Sequence, residues 1–221
     1  MTTEELIDPS IEILTPTQTV EDVVDIMQNS EHHILPVVFE NKFIGFVKED
    51  QLLNILDSEK EIGYFPIDNK EHFIKNTEHV YNLVHHYIKY NTTILAVLDE
   101  NNNYIGTVTQ DNLRLLFKDW LCFTTEGAII VLDINILTYS LSEICRIAES
   151  NGVKILSAEI TEDFNNKNKN YLTLKFNTDE LSRVVAAFER YQYTVVSVYH
   201  NPQFDNIDQQ RLDNLLKFLN I

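Results

Sequence analysis

Residues 31–56, EHHILPVVFENKFIGFVKEDQLLNIL, return in register at positions 91–117 as NTTILAVLDENNNYIGTVTQDNLRLLF. The second copy carries one extra residue in its Asn101–Asn103 turn. One copy is too small to bury a hydrophobic core alone, so the two copies are expected to pack face to face. Such packing leaves clefts between the copies, and a cleft is a place where a ligand can be held.

Each copy has the pattern of a short lead strand, a helix, a pair of strands and a closing helix. Apolar residues spaced three and four apart predict the first helix of each copy: Val20, Val23, Val24 and Met27, then Val80, Leu83, Val84, Tyr87 and Ile88. Apolar runs on either side of a polar turn predict the strand pairs: Ile34–Phe39 with Phe43–Val47, and Ile94–Leu98 with Tyr104–Thr109. The closing helices are expected to begin with Leu52, Leu53 and Leu56, and with Leu113, Leu116 and Phe117. Repeat one is thus expected at about 11–56 and repeat two at about 73–117, in a paired domain spanning 1–125.

The pattern changes in the C-terminal part. The aliphatic run 128–134 and the segments KILSAEI, YLTLKFN and TVVSVYH predict four strands. Two helical stripes lie between them, one beginning at Leu141 and the other at Leu181. The order β-α-β-β-α-β over 126–200 is that of a ferredoxin-like sandwich. An amphipathic helix is predicted in 201–221, and the fold class is α/β of the α+β type.

Composition narrows the classes of partner. The formal net charge of −17 argues against nucleic acid or an anionic membrane, because both reward clusters of Lys and Arg. Cys122 and Cys145 lie in apolar segments without CxxC spacing, as reduced thiols of a cytoplasmic protein do. The N-terminal residues lack the basic and apolar regions of a secretion signal, and no apolar run approaches the ~20 residues of a membrane span. A cytoplasmic protein with no membrane partner is expected.

Catalytic and metal motifs are missing from the sequence. The five glycines are not clustered into a phosphate-binding loop, and there is no HExxH or nucleophile elbow. Two adjacent histidine pairs, His32-His33 and His85-His86, suggest a metal, but neighbours on a helix point about 100° apart. We therefore expect a protein that is not an enzyme, with no metal site.

The two repeats resemble CBS domains, which occur in pairs as Bateman modules. The resemblance rests on Ile34-Leu35-Pro36-Val37-Val38 and Ile44-Gly45-Phe46-Val47, and on the matching Ile94–Val97 and Ile105–Thr109. The region of about 127–200 is similar to an ACT domain, and the order CBS–CBS–ACT resembles acetoin-utilisation-type regulatory proteins. This resemblance implies a non-catalytic sensor that binds an adenosine-containing metabolite such as AMP, ADP or ATP, with no obligatory cofactor. It also implies a homodimer, with the ACT-like domain serving dimerisation or signalling, and a protein partner of unknown identity.

The family pattern also implies particular site residues. A hydroxyl three residues after the glycine faces phosphate or sugar, and a carboxylate six residues after it accepts from the ribose. Those positions hold Thr109 and Asn112 in repeat two, and Lys48 and Gln51 in repeat one. Pro36 belongs to the apolar strand against which a base would lie. His33 precedes that strand, where it is either a ligand contact or a surface or capping histidine.

The same residues leave an alternative open. Asn112 lacks the charge of a carboxylate, Lys48 is either a phosphate contact or a solvated rim residue, and Thr109 can instead satisfy strand-end backbone groups. Asp111 is one residue early and, on a helix, is expected to point about 100° away. In the C-terminal part, Tyr139 stands where ACT domains commonly have a glycine, and we expect its ring to fill the pocket. The alternative function is therefore a structural or interaction module with degenerate, ligand-free clefts.

Overall fold

The computed structural model describes residues 2–30, 32–166 and 169–200. The C-terminal helix predicted in 201–221 lies outside the described residues. Contacts divide the chain into two compact units, Met1–Phe117 and Lys118–Ile221. Both units combine helices and strands, which confirms the predicted α/β class. Within the described ranges, no helix combines the length and the apolar character that crossing a bilayer requires.

The first unit contains the two repeats. Repeat one has α1 (Val20–Asn29), β1 (Ile34–Phe39), β2 (Lys42–Lys48) and α2 (Glu49–Leu52). Repeat two has β3 (Phe73–Lys75), α3 (Val80–Tyr90), β4 (Ile94–Leu98), β5 (Tyr104–Thr109) and α4 (Gln110–Asp119). The predicted strand pairs are antiparallel hairpins, β1 with β2 and β4 with β5. Strand β3 runs parallel to β4, whereas repeat one has a single parallel bridge between Leu14 and Val37 at the equivalent place.

The closing helix of repeat one is shorter than its leucines suggest. Helix α2 ends at Leu52, so the expectation that it continues through Leu56 is wrong. The chain instead bends back to the start of α1, where Glu21 N donates to the Ser58 carbonyl at 3.0 Å and Val20 N donates to the Lys60 carbonyl at 2.9 Å. These bonds satisfy donors that a helix N-terminus leaves unpaired.

The repeats exchange their leading segments. Asp8, which precedes repeat one, donates its N–H to the carbonyl of Thr107 in repeat two at 2.8 Å. Asp68, which precedes repeat two, accepts from Phe46 N in repeat one at 2.9 Å. Each segment thus lies across the hairpin of the other repeat, and we call the segments at Asp8 and Asp68 the crossing segments. Residues before position 11 therefore belong to the paired fold.

A hydrophobic cluster joins the two repeats. Its buried members come from both, with Phe46 from repeat one and three residues of β4 from repeat two: Ile94, Ala96 and Leu98. Phe43 and Tyr104, which are equivalent residues of the two hairpins, stack with ring centroids 6.4 Å apart and planes inclined by 21°. Separate clusters fill the interior of each repeat. The two copies therefore pack face to face, as the duplication predicts.

The second unit is a four-stranded antiparallel sheet covered by helices. After the short α5 (Leu121–Thr124) its elements are β6 (Ile129–Ile134), α6 (Leu141–Ser150), β7 (Ile155–Glu162), β8 (Asn170–Phe176), α7 (Ser182–Arg190) and β9 (Thr194–Tyr199). The strand order is β7-β8-β6-β9. Alternate residues of β6 are buried, and they share a core with α6 and α7. This order and connectivity are those of the predicted ferredoxin-like sandwich.

Candidate functional site

Two clefts of the first unit share the lining residues Ile34, Thr93 and Ile94. We call them the Thr109 cleft and the Lys48 cleft. The Thr109 cleft has a volume of about 350 Å³, and its remaining lining residues are His32, His33, Thr109, Gln110 and Asp111. The Lys48 cleft has a volume of about 300 Å³, and its remaining lining residues are Phe46, Lys48, Asn69, His72, Tyr90, Asn91 and Thr92.

In the Thr109 cleft, the side chain expected to recognise ribose is engaged elsewhere. The Asn112 amide oxygen accepts from Thr109 N at 2.9 Å and from Thr109 Oγ1 at 2.7 Å. These bonds cap the N-terminus of α4, which is the role of the third helical residue in a capping box. Asn112 does not line the cleft, whereas Asp111 does. Asp111 is thus a lining residue of the cleft, while the Asn112 side chain is turned back onto the helix terminus.

The equivalent amide of repeat one is engaged in the same way. Gln51 Oε1 accepts from Lys48 N at 3.1 Å, and Gln51 Nε2 donates to the Asp68 carboxylate at 3.1 Å. Gln51 lines neither cleft but a smaller apolar pocket of about 200 Å³. In both repeats, then, the amide caps the closing helix, and in repeat one it also bonds to Asp68 of the crossing segment.

Asp8 is the counterpart of Asp68 in the other crossing segment. A hydrogen bond from the Ser10 hydroxyl, at 2.6 Å, is the main influence that lowers the pKa of Asp8. Partial burial opposes it, while His32 and the Asn112 amide lower the pKa of Asp8 further. This carboxylate is therefore held ionised beside the Thr109–Asn112 cap.

His33 and Pro36 occupy different environments. His33 lines the Thr109 cleft, but its side chain is 72% exposed and its Nδ1 lies 2.6 Å from Glu49 Oε2. Pro36 is buried opposite Phe46, its carbonyl accepts from Leu14 N at 2.9 Å, and it lines neither cleft. Of the two, the structure places only His33 where a ligand could touch it.

The Lys48 cleft brings together a cation, an aromatic pair and an apolar wall. Lys48 is the last residue of β2, and the buried Phe46 and Ile94 line the cleft together with the partly exposed Ile34. The rings of His72 and Tyr90 lie with centroids 4.8 Å apart and planes inclined by 30°. Asn69 and Asn91 add amide groups to the lining.

His72 and Tyr90 were not expected from the sequence. His72 precedes β3 and Tyr90 ends α3. Because β3 and β4 are parallel, residues before their N-termini meet at one edge of the sheet, where the C-terminal end of the antiparallel β5 also lies. The sequence could have indicated the position of His72 only through this geometry. Using it required knowing that the short lead segment is a strand parallel to β4.

The second unit has its own cleft of about 580 Å³ beside the loop that follows β6. Its lining includes Asn135, Ile136 and Leu137. Tyr139, in the same loop, is partly buried and packs against the core of the unit. Among the described residues, no group of three or more His, Cys, Asp or Glu side chains is arranged to hold a metal ion.

Comparison with solved structures finds similar folds over about half of this chain. A CBS domain pair/ACT domain protein from Thermotoga maritima is 18% identical, with a TM-score of 0.49 over 53% of this chain and 98% of that chain. The CBS domains of a transcriptional regulator from Streptococcus pneumoniae are 19% identical, with a TM-score of 0.48 over 52% of this chain and 98% of that chain. The cytosolic domain of the Mg²⁺ channel MgtE in complex with ATP is 20% identical, with a TM-score of 0.46 over 52% of this chain and 48% of that chain.

Comparison with families and curated proteins gives one result each. No curated protein matches the sequence. The CBS domain family model matches residues 4–58, which include the crossing segment at Asp8 and the elements of repeat one. The chain therefore carries a CBS domain at residues 4–58.

Proposed function

We propose that the paired repeats form a non-catalytic regulatory module that binds an adenosine nucleotide, such as AMP, ADP or ATP, in the Lys48 cleft. The observation that carries this proposal is the joining of Lys48 to an apolar wall and an aromatic pair, within a chain of net charge −17. A chain so acidic repels anions in general, so a cleft that holds one must supply a local cation.

The lining matches the parts of a nucleotide. A purine can lie against the partly exposed Ile34, which is backed by the buried Phe46 and Ile94, and its burial there is favourable. The Lys48 ammonium is a compact point charge suited to phosphate. Asn69 and Asn91 provide donors and acceptors for the polar edges of the base or the ribose.

The Thr109 cleft differs in charge. Among its described lining residues there is no Lys or Arg, and Asp111 contributes a carboxylate. A phosphate placed there would meet a like charge, whereas a neutral nucleoside would not. We therefore assign the phosphorylated ligand to the Lys48 cleft. Any ligand of the Thr109 cleft would be a neutral nucleoside.

Assembly and output belong to the same proposal. The second unit is proposed to act as an ACT-like element that dimerises the cytoplasmic protein or passes a signal to a protein partner. Sedimentation equilibrium tests the homodimer. A monomer at micromolar concentration would remove the dimerisation role without affecting nucleotide binding.

Isothermal titration with AMP, ADP, ATP and adenosine tests the function, with thermal shift as a second readout. A ligand at ~100 times its dissociation constant should stabilise the protein by ~2.7 kcal/mol, which is several degrees in Tm. Lys48→Met should weaken nucleotide binding at least tenfold, because it removes a charge-assisted contact. The matched control is Lys60→Met, on a surface lysine paired with Asp57. If no nucleotide binds at millimolar concentration, the proposal is wrong.

A second candidate function is a structural or interaction module with ligand-free clefts. It is favoured by the engagement of both amides, Asn112 and Gln51, in capping bonds. Under this function a thermal-shift panel that adds S-adenosylmethionine, NAD and amino acids would give no shift. Lys48→Met would then have no effect on ligand-induced changes in Tm or on binding isotherms, because the wild type would show neither.

A further inference from the structure

We propose that His72 is a specificity-determining residue of the Lys48 cleft: it takes up a proton when a phosphorylated ligand binds, so that Lys48 and His72 hold the phosphate as two cations. This inference rests on the proposed function, since it concerns the same cleft. It adds a residue that the repeat motifs do not contain, and it makes binding depend on pH.

The position of His72 is fixed on several sides. Its N–H donates to the Asn69 carbonyl at 3.0 Å, and its carbonyl accepts from Ala96 N at 3.0 Å, so the backbone is held between a turn and β4. The residue is 9% exposed, and its ring packs against Tyr90. A buried imidazole held in this way lines the cleft without a large loss of side-chain freedom on binding.

The charges around His72 come from three elements. Lys48 faces it from the end of β2. Glu71, in its own segment, has Oε1 3.7 Å from His72 Nε2. Helix α3 contributes Tyr90 and also His86, whose ring lies 5.5 Å from that of Tyr90 and whose Nδ1 lies 3.1 Å from the Phe73 carbonyl.

These surroundings keep His72 neutral while no anion is bound. Burial is the largest influence and lowers the pKa of His72, Glu71 opposes it, and Lys48 lowers the pKa further. A phosphate dianion placed in the cleft would reverse this balance, because an opposite charge nearby favours the imidazolium. The proton comes from solvent, and no covalent bond changes.

Selectivity follows from this exchange. An unphosphorylated nucleoside offers no charge to hold the proton, so it meets a neutral imidazole and one lysine. A phosphorylated nucleoside gains a second charge-assisted contact. Affinity for the phosphorylated ligand should therefore rise as the pH falls from about 8 towards 7, by at most tenfold per pH unit.

The test is isothermal titration with AMP in buffers of different ionisation enthalpy. The pH is 7.5, where a phosphate with a second pKa of ~6 is mostly dianionic. Wild type, His72→Gln and the control His85→Gln, an exposed histidine of α3, are compared. Wild type and His85→Gln should take up more protons per AMP than His72→Gln, by up to one. His72→Gln should bind AMP about tenfold more weakly. All three proteins should bind adenosine within about twofold of one another.

The outcomes separate this inference from the proposed function. Equal proton uptake by wild type and His72→Gln overturns the role of His72 while nucleotide binding stands. The absence of binding by AMP and adenosine to all three proteins overturns both. NMR titration of His72 in the wild-type protein is a second measurement that needs no variant: its pKa should rise when AMP binds, and an unchanged pKa overturns the inference.

Discussion

Ile7 lies directly against Gly106, so that a Cβ on the glycine would overlap with Cγ2 of Ile7. The equivalent pair in the other repeat is Ile67 with Gly45, where an added Cβ would also overlap with the Asp68 carbonyl oxygen. Gly106 and Gly45 are thus the positions at which each crossing segment contacts a hairpin. The absence of a side chain at these glycines allows the segment to approach the strand closely.

Gly106→Ala should destabilise the first unit by about 2 kcal/mol, because the new methyl group overpacks against Ile7. The Ile7→Ala variant removes the overlapping atoms, so the double variant should lose less stability than the sum of the single changes. Urea denaturation of the four proteins measures this coupling.

Gly45→Ala provides the contrast. Its overlap is with backbone, and its φ of 143° is strained for an alanine, so truncating Ile67 should not rescue it. Strictly additive effects of Gly106→Ala and Ile7→Ala would contradict the close packing of Ile7 against Gly106.

Phe46→Ala should destabilise the first unit by about 3–5 kcal/mol, because Phe46 is 1% exposed in the cluster that joins the repeats. It should also weaken nucleotide binding, since Phe46 is a lining residue of the Lys48 cleft and belongs to the cluster against which Ile34 packs. Phe39→Ala, at a side chain that is 52% exposed in the same repeat, is the control and should cost far less. Thermal unfolding with and without AMP gives both readouts, and similar losses for the two variants would argue against a shared core.

Tyr87→Phe should stabilise the protein by about 1 kcal/mol. The Tyr87 hydroxyl is buried, has no hydrogen-bond partner among the described residues, and has its pKa raised by burial. Removing an unsatisfied polar group removes its desolvation cost. Repeat one has Met27, which is also buried, at the equivalent position. Tyr64→Phe, at a side chain that is 78% exposed, should change the unfolding free energy by less than about 0.5 kcal/mol.

Asn112→Asp should raise the pKa of Asp8, because a like charge replaces an amide that now lowers it. A carboxylate whose folded-state pKa is lowered stabilises the fold above its unfolded pKa, and that contribution is lost as the pH falls through the folded value. The variant should therefore show less loss of stability from Asp8 protonation in acid. Carboxyl-carbon NMR measures the titration. Gln110→Glu adds the same charge in the same helical turn and should shift Asp8 less.

Without ligand, stability should fall as the pH drops below about 6.5, the ordinary pKa of histidine. The pKa of His72 is lowered in the folded state, mainly by burial, so the folded protein binds fewer protons than the unfolded chain. The sign is therefore a loss of stability on acidification, at most about 1.4 kcal/mol per pH unit for one group. His72→Gln should flatten this dependence and His85→Gln should not. Urea midpoints measured between pH 5 and 7.5 test this prediction. If the midpoint of His72→Gln falls with pH as steeply as that of the wild type, the burial of this ring is contradicted.

Much of the local structure is encoded in short-range patterns. The apolar spacing from Val20 to Met27 and the runs on either side of the hairpin turns suffice because helices and strands bury one face at a fixed period. The one-residue difference between the copies falls in a turn, where an insertion leaves the strand register intact. The β-α-β-β-α-β order is likewise readable from periodicity alone.

The capping residues show where pattern reading was ambiguous. Thr109-x-x-Asn112 fits both a ligand-binding motif and a capping box, because each requires a hydroxyl and a side-chain acceptor three residues apart. Choosing between them requires knowing which way the Asn112 side chain turns. In the structure its amide oxygen accepts from Thr109 N and Thr109 Oγ1, so it serves as a cap.

The sequence by itself determined the duplication, the helices and hairpins, and the face-to-face packing that an apolar surface on each copy requires. Only the tertiary structure decided that Asp8 pairs with repeat two, that His72 meets Tyr90, and that Lys48 opens into their cleft. The physical reason is that main-chain hydrogen bonds between distant segments carry no side-chain signature. The close approach of polar side chains from separate elements is set by how those elements pack, which no local periodicity records.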